Sequence, residues 1–204
     1  MSLLQKLMAK PWEHAGEMEG IHGGNPVGQP AGRAGLYLFL AVVTSMFLLF
    51  TISHQMRSAY PDWRQVSEPG ILWFNTAILV LASITLQLAR NATRRGARVA
   101  SRNGVVLGGV LTLLFIAGQV LAWKQMLAAG FFARENPANA FFYMFTAIHA
   151  LHLLGGLWFL LGAVRWSIRS PDDARLPMRV ELCATYWHFL LLVWFLLFYL
   201  LSSS

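Results

Sequence analysis

Four ionisable side chains lie within long apolar stretches of this sequence, where each one needs a chemical or structural reason. His149 and His152 are three residues apart in one stretch, and Glu181 and His188 lie in the next. A spacing of three places both histidines of the first stretch on one face of a helix. Imidazole groups in such a position can ligate haem or a metal, relay protons, or form hydrogen bonds between helices.

A haem or metal site requires more ligands in matched positions than this set supplies. A bis-histidine haem site needs imidazoles from facing helices at the same depth, and a copper or iron site needs three or more suitable ligands. We therefore predict no catalytic, cofactor-binding or metal-binding residue in this chain. We predict instead a buried polar network that joins the last two helices. Its members are His149, His152, Glu181 and His188.

The composition indicates that lipid, and not water, surrounds most of the chain. Of its 204 residues 56% are hydrophobic and 12% are charged, about half the charged fraction of a soluble domain. The net charge of +7 would suit nucleic acid, but the cations lie in short segments between apolar runs, where they meet lipid headgroups. No nucleic-acid partner is expected. The single cysteine, Cys183, excludes an internal disulfide and a multi-cysteine metal site.

Five apolar runs are long enough to cross a hydrocarbon layer, which takes about 20 residues. Peptide groups in that layer must bond within their own segment, so each run should be a helix, and the runs lack the alternation of barrel strands. The sequence therefore predicts an all-α, integral membrane five-helix bundle. The predicted spans are 35–56, 71–89, 104–127, 141–164 and 182–201.

The positions of Lys and Arg predict the orientation of the bundle. Cations concentrate before the first span, between the second and third, and between the fourth and fifth, and positive residues favour the cytoplasmic side. The N-terminus is therefore expected in the cytoplasm and the C-terminus outside. The cations left on the outer side are Arg57, Arg64, Lys124 and Arg134.

The predicted organisation is an N-terminal segment followed by one membrane domain. Residues 1–34 are rich in glycine and contain Pro26 and Pro30, so we predict a mobile cytoplasmic arm there. Residues 35–204 form the transmembrane domain.

Small residues within the spans indicate close packing between helices. Gly104 and Gly108 form a G-x-x-x-G pair at the start of the third span, and Gly155, Gly156 and Gly162 lie along the fourth. We expect both sets to face neighbouring helices.

Four blocks of sequence resemble subunit III of the haem-copper respiratory oxidases. Residues 143–155 are similar to the family's Tyr, then Thr-Gly-x-His-Gly-x-His and Gly, and residues 181–189 are similar to its Glu-x-x-x-x-Tyr-Trp-His-Phe stretch. Two further blocks are similar to Asn-Thr with Ser-x-Thr and to Gln-x-x-x-aromatic; they comprise Asn75, Thr76, Ser83 and Thr85, and Gln119 and Trp123. The blocks occur in the family's order.

The resemblance implies a short, five-span form of this subunit, in the inner membrane of a bacterium. It implies an accessory role without a catalytic centre: the chain would pack against catalytic subunit I, which carries the haem and copper, and would hold phospholipids and help sustain proton delivery during turnover. In this interpretation Arg179, Tyr186 and Trp187 contact lipid.

Three departures from the family pattern argue against a carboxylate-linked role in proton delivery. Residues 42–47 lack the acid that many members carry there, and Leu191 and Ala122 stand where many have Asp and Glu. The departures leave open a subunit-III-like accessory protein of a nitric oxide reductase. A small membrane haem protein and a transporter are the hypotheses from other classes.

Overall fold

The computed structural model describes residues 28–64, 69–169 and 175–203, with only the helical backbone at 28–31 and 167–169. These residues contain five helices, and each of them is long and apolar enough to cross a membrane. This confirms the predicted all-α, five-helix class. The helices are α1 (Gly28–Ser58), α2 (Ile71–Arg94), α3 (Arg98–Ala128), α4 (Pro137–Arg169) and α5 (Leu176–Ser203).

Most helices extend beyond the predicted spans, because hydropathy detects only the part of a helix that lies in hydrocarbon. At about 1.5 Å per residue, the 28 residues of α5 measure about 42 Å, whereas the hydrocarbon layer is about 30 Å thick. The additional turns of α2 and α5 lie outside the predicted spans and are expected at headgroup depth. They include Arg90, Arg94 and Arg179.

Proline in the first turn explains where three helices begin. Pro30, Pro137 and Pro177 each lie within the first three residues of α1, α4 and α5, where a helix needs no backbone N–H from them. Residues 28–34, which the sequence pattern assigns to the N-terminal arm, belong to α1. Residues 1–27, on which the rest of that prediction falls, lie outside the described residues.

Helices α2 and α3 form a tight antiparallel hairpin. Gly96 turns the chain with φ of 72°, a conformation that costs glycine little. Beyond the turn, a Cβ on Gly104 would lie 2.9 Å from Ala89 Cβ, and one on Gly108 would lie 2.7 Å from Leu86 Cγ. The predicted contact of this glycine pair with a neighbouring helix is confirmed.

The glycines of α4 divide into two groups. A Cβ on Gly156 would lie 2.7 Å from the ring of Tyr186, so α4 and α5 depend on its absence there. Gly155 and Gly162 have nothing within 4 Å of the position of a Cβ. The prediction that all three face neighbouring helices is wrong for these two, because they lie on the open sides of α4.

Helix α5 is the most buried of the five, and tryptophan hydrogen bonds fix it against α2 and α3. Trp194 Nε1 donates to Thr76 Oγ1 of α2, and Trp187 Nε1 donates to Thr112 Oγ1 of α3, each at 2.9 Å. Both threonines donate their own proton to the backbone carbonyl four residues earlier. The hydroxyl is thereby oriented so that its lone pair receives the indole N–H.

We predict that Thr112→Val lowers the free energy of unfolding in detergent by about 1–3 kcal/mol, the cost of leaving a buried donor without an acceptor. Valine keeps the shape of the side chain and removes only the hydroxyl that Trp187 needs. The control is Thr51→Val on α1, whose hydroxyl bonds, among the described residues, only to the carbonyl of Phe47. Thermal or denaturant unfolding gives both values, and equal losses would contradict the account.

Candidate functional site

An apolar cleft separates α1 from α4 and α5. Its volume is about 690 Å³, and residues of all three helices line it. Phe39, Leu151 and Phe159 are among its apolar walls, and Arg179, in the first turn of α5, also lines it. A cavity of this volume is in the range of small-molecule and cofactor sites.

Glycines of α1 and α4 line this cleft from two sides. Gly35 of α1 and Gly155 of α4 line it, and neither has an atom within 4 Å of the position of a Cβ. A side chain at either position would therefore project into the cleft without striking the protein. The two glycines therefore leave free the part of the cleft that a side chain at either position would occupy.

The residues predicted to contact lipid, Arg179, Tyr186 and Trp187, all line this cleft. The Tyr186 hydroxyl donates to the backbone carbonyl of His152 at 3.0 Å, which joins α5 to α4. The Arg179 guanidinium lies 4.4 Å from the ring centroid of Trp166. The indole N–H of Trp187 points away from the cleft to α3, so that residue presents only its apolar ring there.

His152 also lines the cleft, whereas the ring of His149 is buried among residues of other helices. The Nδ1 of His152 donates to the Ile148 carbonyl at 2.8 Å, and its ring packs 5.7 Å from that of Phe47 in α1. His149 is fully buried. Its ring lies between Phe115 of α3 and Trp194 of α5, at centroid distances of 5.9 and 5.2 Å.

The ring nitrogens of His149 have no hydrogen-bond partner among the described residues. We have no physical account of this isolation beyond the tight aromatic packing that surrounds the ring.

Glu181 is the centre of an ion cluster at one end of the bundle. Its carboxylate accepts from Arg90 at 2.9 Å and from Arg33 at 3.3 Å, and Arg94 lies 3.6 Å away. Arg33 comes from α1, and Arg90 and Arg94 come from α2. One carboxylate on α5 thus joins three helices.

His188 bonds to α2. Its Nδ1 lies 2.5 Å from Ser83 Oγ, and its Nε2 lies 3.0 Å from Gln87 Oε1. In the neutral tautomer that satisfies both contacts, Nε2 donates to the amide oxygen and Nδ1 accepts from the hydroxyl. Gln87 Nε2 in turn donates to Asn91 Oδ1 at 3.3 Å.

The structure therefore distributes the predicted network over separate sets of contacts. Glu181 and His188 bond to α2. His152 packs against α1, and His149 packs between α3 and α5. Helix α5 contacts α1, α2 and α4, and its Glu181 and His188, seven positions apart on one face, both bond to α2 and, within the described part of the chain, not to α4. The single network joining the last two helices is not the observed arrangement.

Sequence reasoning missed the partners of these groups. From the sequence, Arg33, Arg90 and Arg94 are interpreted only as headgroup cations, although the charge distribution places them at the same membrane face as Glu181. Ser83 and Gln87 are four residues apart on α2, a spacing that fits one imidazole between them. The missing information was which helices are neighbours.

Among the described residues, no three His, Cys, Asp or Glu side chains are grouped closely enough to hold a metal ion. Glu181 and His188 bond instead to α2, and His152 lines the apolar cleft. This fold and these sites define a multi-pass membrane protein whose polar groups serve packing and whose open surface is apolar.

Comparison with known proteins identifies the family. The model of the family described as cytochrome c oxidase subunit III matches residues 33–202. The chain belongs to the cytochrome c oxidase subunit III family. The resemblance found in the four sequence blocks is confirmed.

Named relatives come from several bacteria. Cytochrome c oxidase subunit 3 of Synechocystis sp. is 29% identical over 193 residues, covering 91% of this chain and 79% of the relative. The probable cytochrome c oxidase subunit 3 of Mycobacterium tuberculosis is 31% identical over 126 residues, covering 60% and 61%. The cytochrome bo(3) ubiquinol oxidase subunit 3 of Pseudomonas aeruginosa is 24% identical over 203 residues, covering 97% and 94%.

The family and the helices together settle the general role. The chain is an accessory subunit III of a haem-copper oxidase, a multi-pass membrane protein that associates with other oxidase subunits. Of the hypotheses raised by the sequence, this is the one that the family match supports.

We predict that Glu181→Gln lowers the free energy of unfolding by about 1–3 kcal/mol, because three guanidinium groups lose their only carboxylate in the cluster. The glutamate side chain is 22% exposed, so solvent screens the interaction only in part. The measurement is thermal unfolding of the protein in detergent at neutral pH.

The control for this prediction is Asp62→Asn. Asp62 pairs with Arg57 at the surface, and the hydrogen bond from Arg57 holds the pKa of the Asp62 carboxyl below its usual value. The group is therefore ionised at neutral pH, but exposed pairs contribute little to stability. A loss from Asp62→Asn as large as that from Glu181→Gln would show that the cluster has no special role.

Proposed function

We propose that the chain is the non-catalytic, lipid-holding subunit that lies beside catalytic subunit I in a bacterial inner membrane, and that a phospholipid occupies the cleft between α1, α4 and α5. The observation that carries the proposal is the cleft itself: apolar walls, glycines that leave it open, and Arg179 near one end. The haem and copper of the complex would belong to the catalytic subunit.

The chemistry of the lining favours a phospholipid. The acyl chains would pack against Phe39, Leu151 and Phe159. Both surfaces are apolar, so this contact leaves no polar group without a hydrogen bond. Arg179 lies in the first turn of α5, at the depth of headgroups, where a guanidinium suits a phosphate. Its stacking on Trp166 holds it there.

The charge distribution supports an orientation with this end of the bundle in the cytoplasm. Arg33, Arg90, Arg94 and Arg179 all belong to the cation-rich side, and positive residues favour the cytoplasmic face. The N-terminus would then be cytoplasmic and the C-terminus outside.

A lipid in the cleft would stabilise the position of α1. This helix is the least buried of the five. It touches α5 near the Arg33–Glu181 pair and α4 around Phe47, with the cleft between these contacts. A bound lipid would fill the gap and complete the surface that the bundle presents in the complex, which supports turnover without taking part in electron transfer.

We predict that Gly155→Leu removes about one phospholipid per complex, because the leucine side chain projects into the open cleft and fills part of the acyl site. The control is Gly162→Leu, on the same helix. Gly162 also has no atom within 4 Å of the position of a Cβ, but it does not line the cleft. Both changes replace a helix glycine with a strong helix former, so their effects on helix stability should match.

The measurement is the phospholipid content of complex purified in mild detergent, by lipid extraction and mass spectrometry. Reduced lipid in the Gly155 variant and normal lipid in the Gly162 variant support the proposal. Equal lipid content in both variants and the unmodified protein would contradict it.

A further inference from the structure

Halfway along α5, an imidazole faces outward. His188 is the thirteenth of the 28 residues of this helix, which places it near the middle of the bilayer. It is nevertheless exposed, although both of its nitrogens bond to α2. Ionisable side chains at this depth almost always face the inside of a bundle or a polar cavity.

Other exposed polar groups in the membrane behave differently. Thr44 and Ser45 are exposed on α1, but each hydroxyl donates to the backbone carbonyl four residues earlier, at 2.7 and 3.0 Å. This is the usual arrangement for hydroxyl groups in membrane helices. His188 does not bond to its own helix in this way, because both of its ring nitrogens bond to Ser83 and Gln87 of α2, which hold the ring at the surface.

The imidazole belongs to a continuous outward-facing stripe of α5. Leu192, Phe195 and Tyr199 follow it at helical spacing, with exposed fractions of 65%, 47% and 67%. The stripe begins beside α2, to which His188 bonds. We call the four residues His188, Leu192, Phe195 and Tyr199 the His188 face.

We infer that the His188 face is the surface on which a transmembrane helix of another oxidase subunit packs. The inference rests on the proposed function, since it names the surface used in the association. Lipid is the weaker occupant because it would leave an imidazole and the neighbouring amide of Gln87 in hydrocarbon. A helix of a partner subunit covers the apolar part and can offer an acceptor to the second hydrogen of Gln87 Nε2.

The first test compares two leucines on different outer surfaces. Leu192→Trp enlarges a side chain on the His188 face, and Leu113→Trp makes the same change on the outer side of α3, where the leucine is 55% exposed. Neither side chain packs inside this chain, so both variants should keep its fold, which thermal unfolding checks. We expect the Leu192 variant to recover about tenfold less partner subunit on mild-detergent purification, the size that overpacking an interface implies, and the Leu113 variant to match the unmodified protein.

The second test uses a photo-crosslinking amino acid in native membranes, at position 192 or at position 113. An adduct with a different, larger oxidase subunit from position 192, and none from position 113, supports the inference. An adduct from position 192 with lipid alone, or with a second copy of this chain, would overturn it.

The outcomes separate this inference from the proposed function. If the unmodified protein brings down other oxidase subunits while position 113 crosslinks to them and position 192 does not, the assignment of this face is wrong and the association stands. If no oxidase subunit accompanies the unmodified protein and neither position crosslinks to one, the proposed function fails as well.

Discussion

The structure depends on one constraint: a hydrocarbon layer offers no hydrogen-bond partner, so a polar side chain is stabilised when a neighbouring helix supplies one. Three buried or half-buried tryptophans meet it in the same way. Trp187, Trp194 and Trp123 each donate at 2.9 Å to a threonine hydroxyl of another helix, and each threonine donates onward to its own backbone. An indole has a single N–H donor, which points along one direction in the ring plane. These bonds therefore fix the rotation of α5 relative to α2 and α3, and of α3 relative to α4.

That fixed rotation determines what the remaining faces of the bundle can do. With the N–H of Trp187 turned toward α3, its ring forms part of the apolar cleft, and Tyr186 closes the contact to α4. With Glu181 bonded to arginines of α1 and α2, the stripe that starts at His188 remains on the outside. The rigid interior thus produces two open surfaces of different character: an apolar cleft suited to acyl chains and a face with a polar centre suited to a protein helix.

Much of the fold could be predicted from the sequence, whereas little of the polar bonding could. Hydropathy identifies the five helices because lipid requires helices, and the ordered blocks identify the family. The ends of helices were harder, since Pro30 begins a helix in a stretch that reads as a mobile arm. The bonding of His188 to α2, in place of the histidines of α4, depends on which helices are neighbours and how each is rotated, and no periodicity in one chain specifies that. Gly155 illustrates the same limit, because a glycine that opens a cleft has the same sequence signal as one that packs against a helix.

The most direct test of the account is the composition of the complex that this chain forms. A tagged chain, purified from its native membrane in mild detergent, should elute with a larger subunit in a constant ratio, and the absorption spectrum of the fraction should show a haem Soret band that follows the tag through successive columns. Elution of the chain alone in every mild detergent, without haem absorption, would contradict its role as the accessory subunit of a haem-copper oxidase.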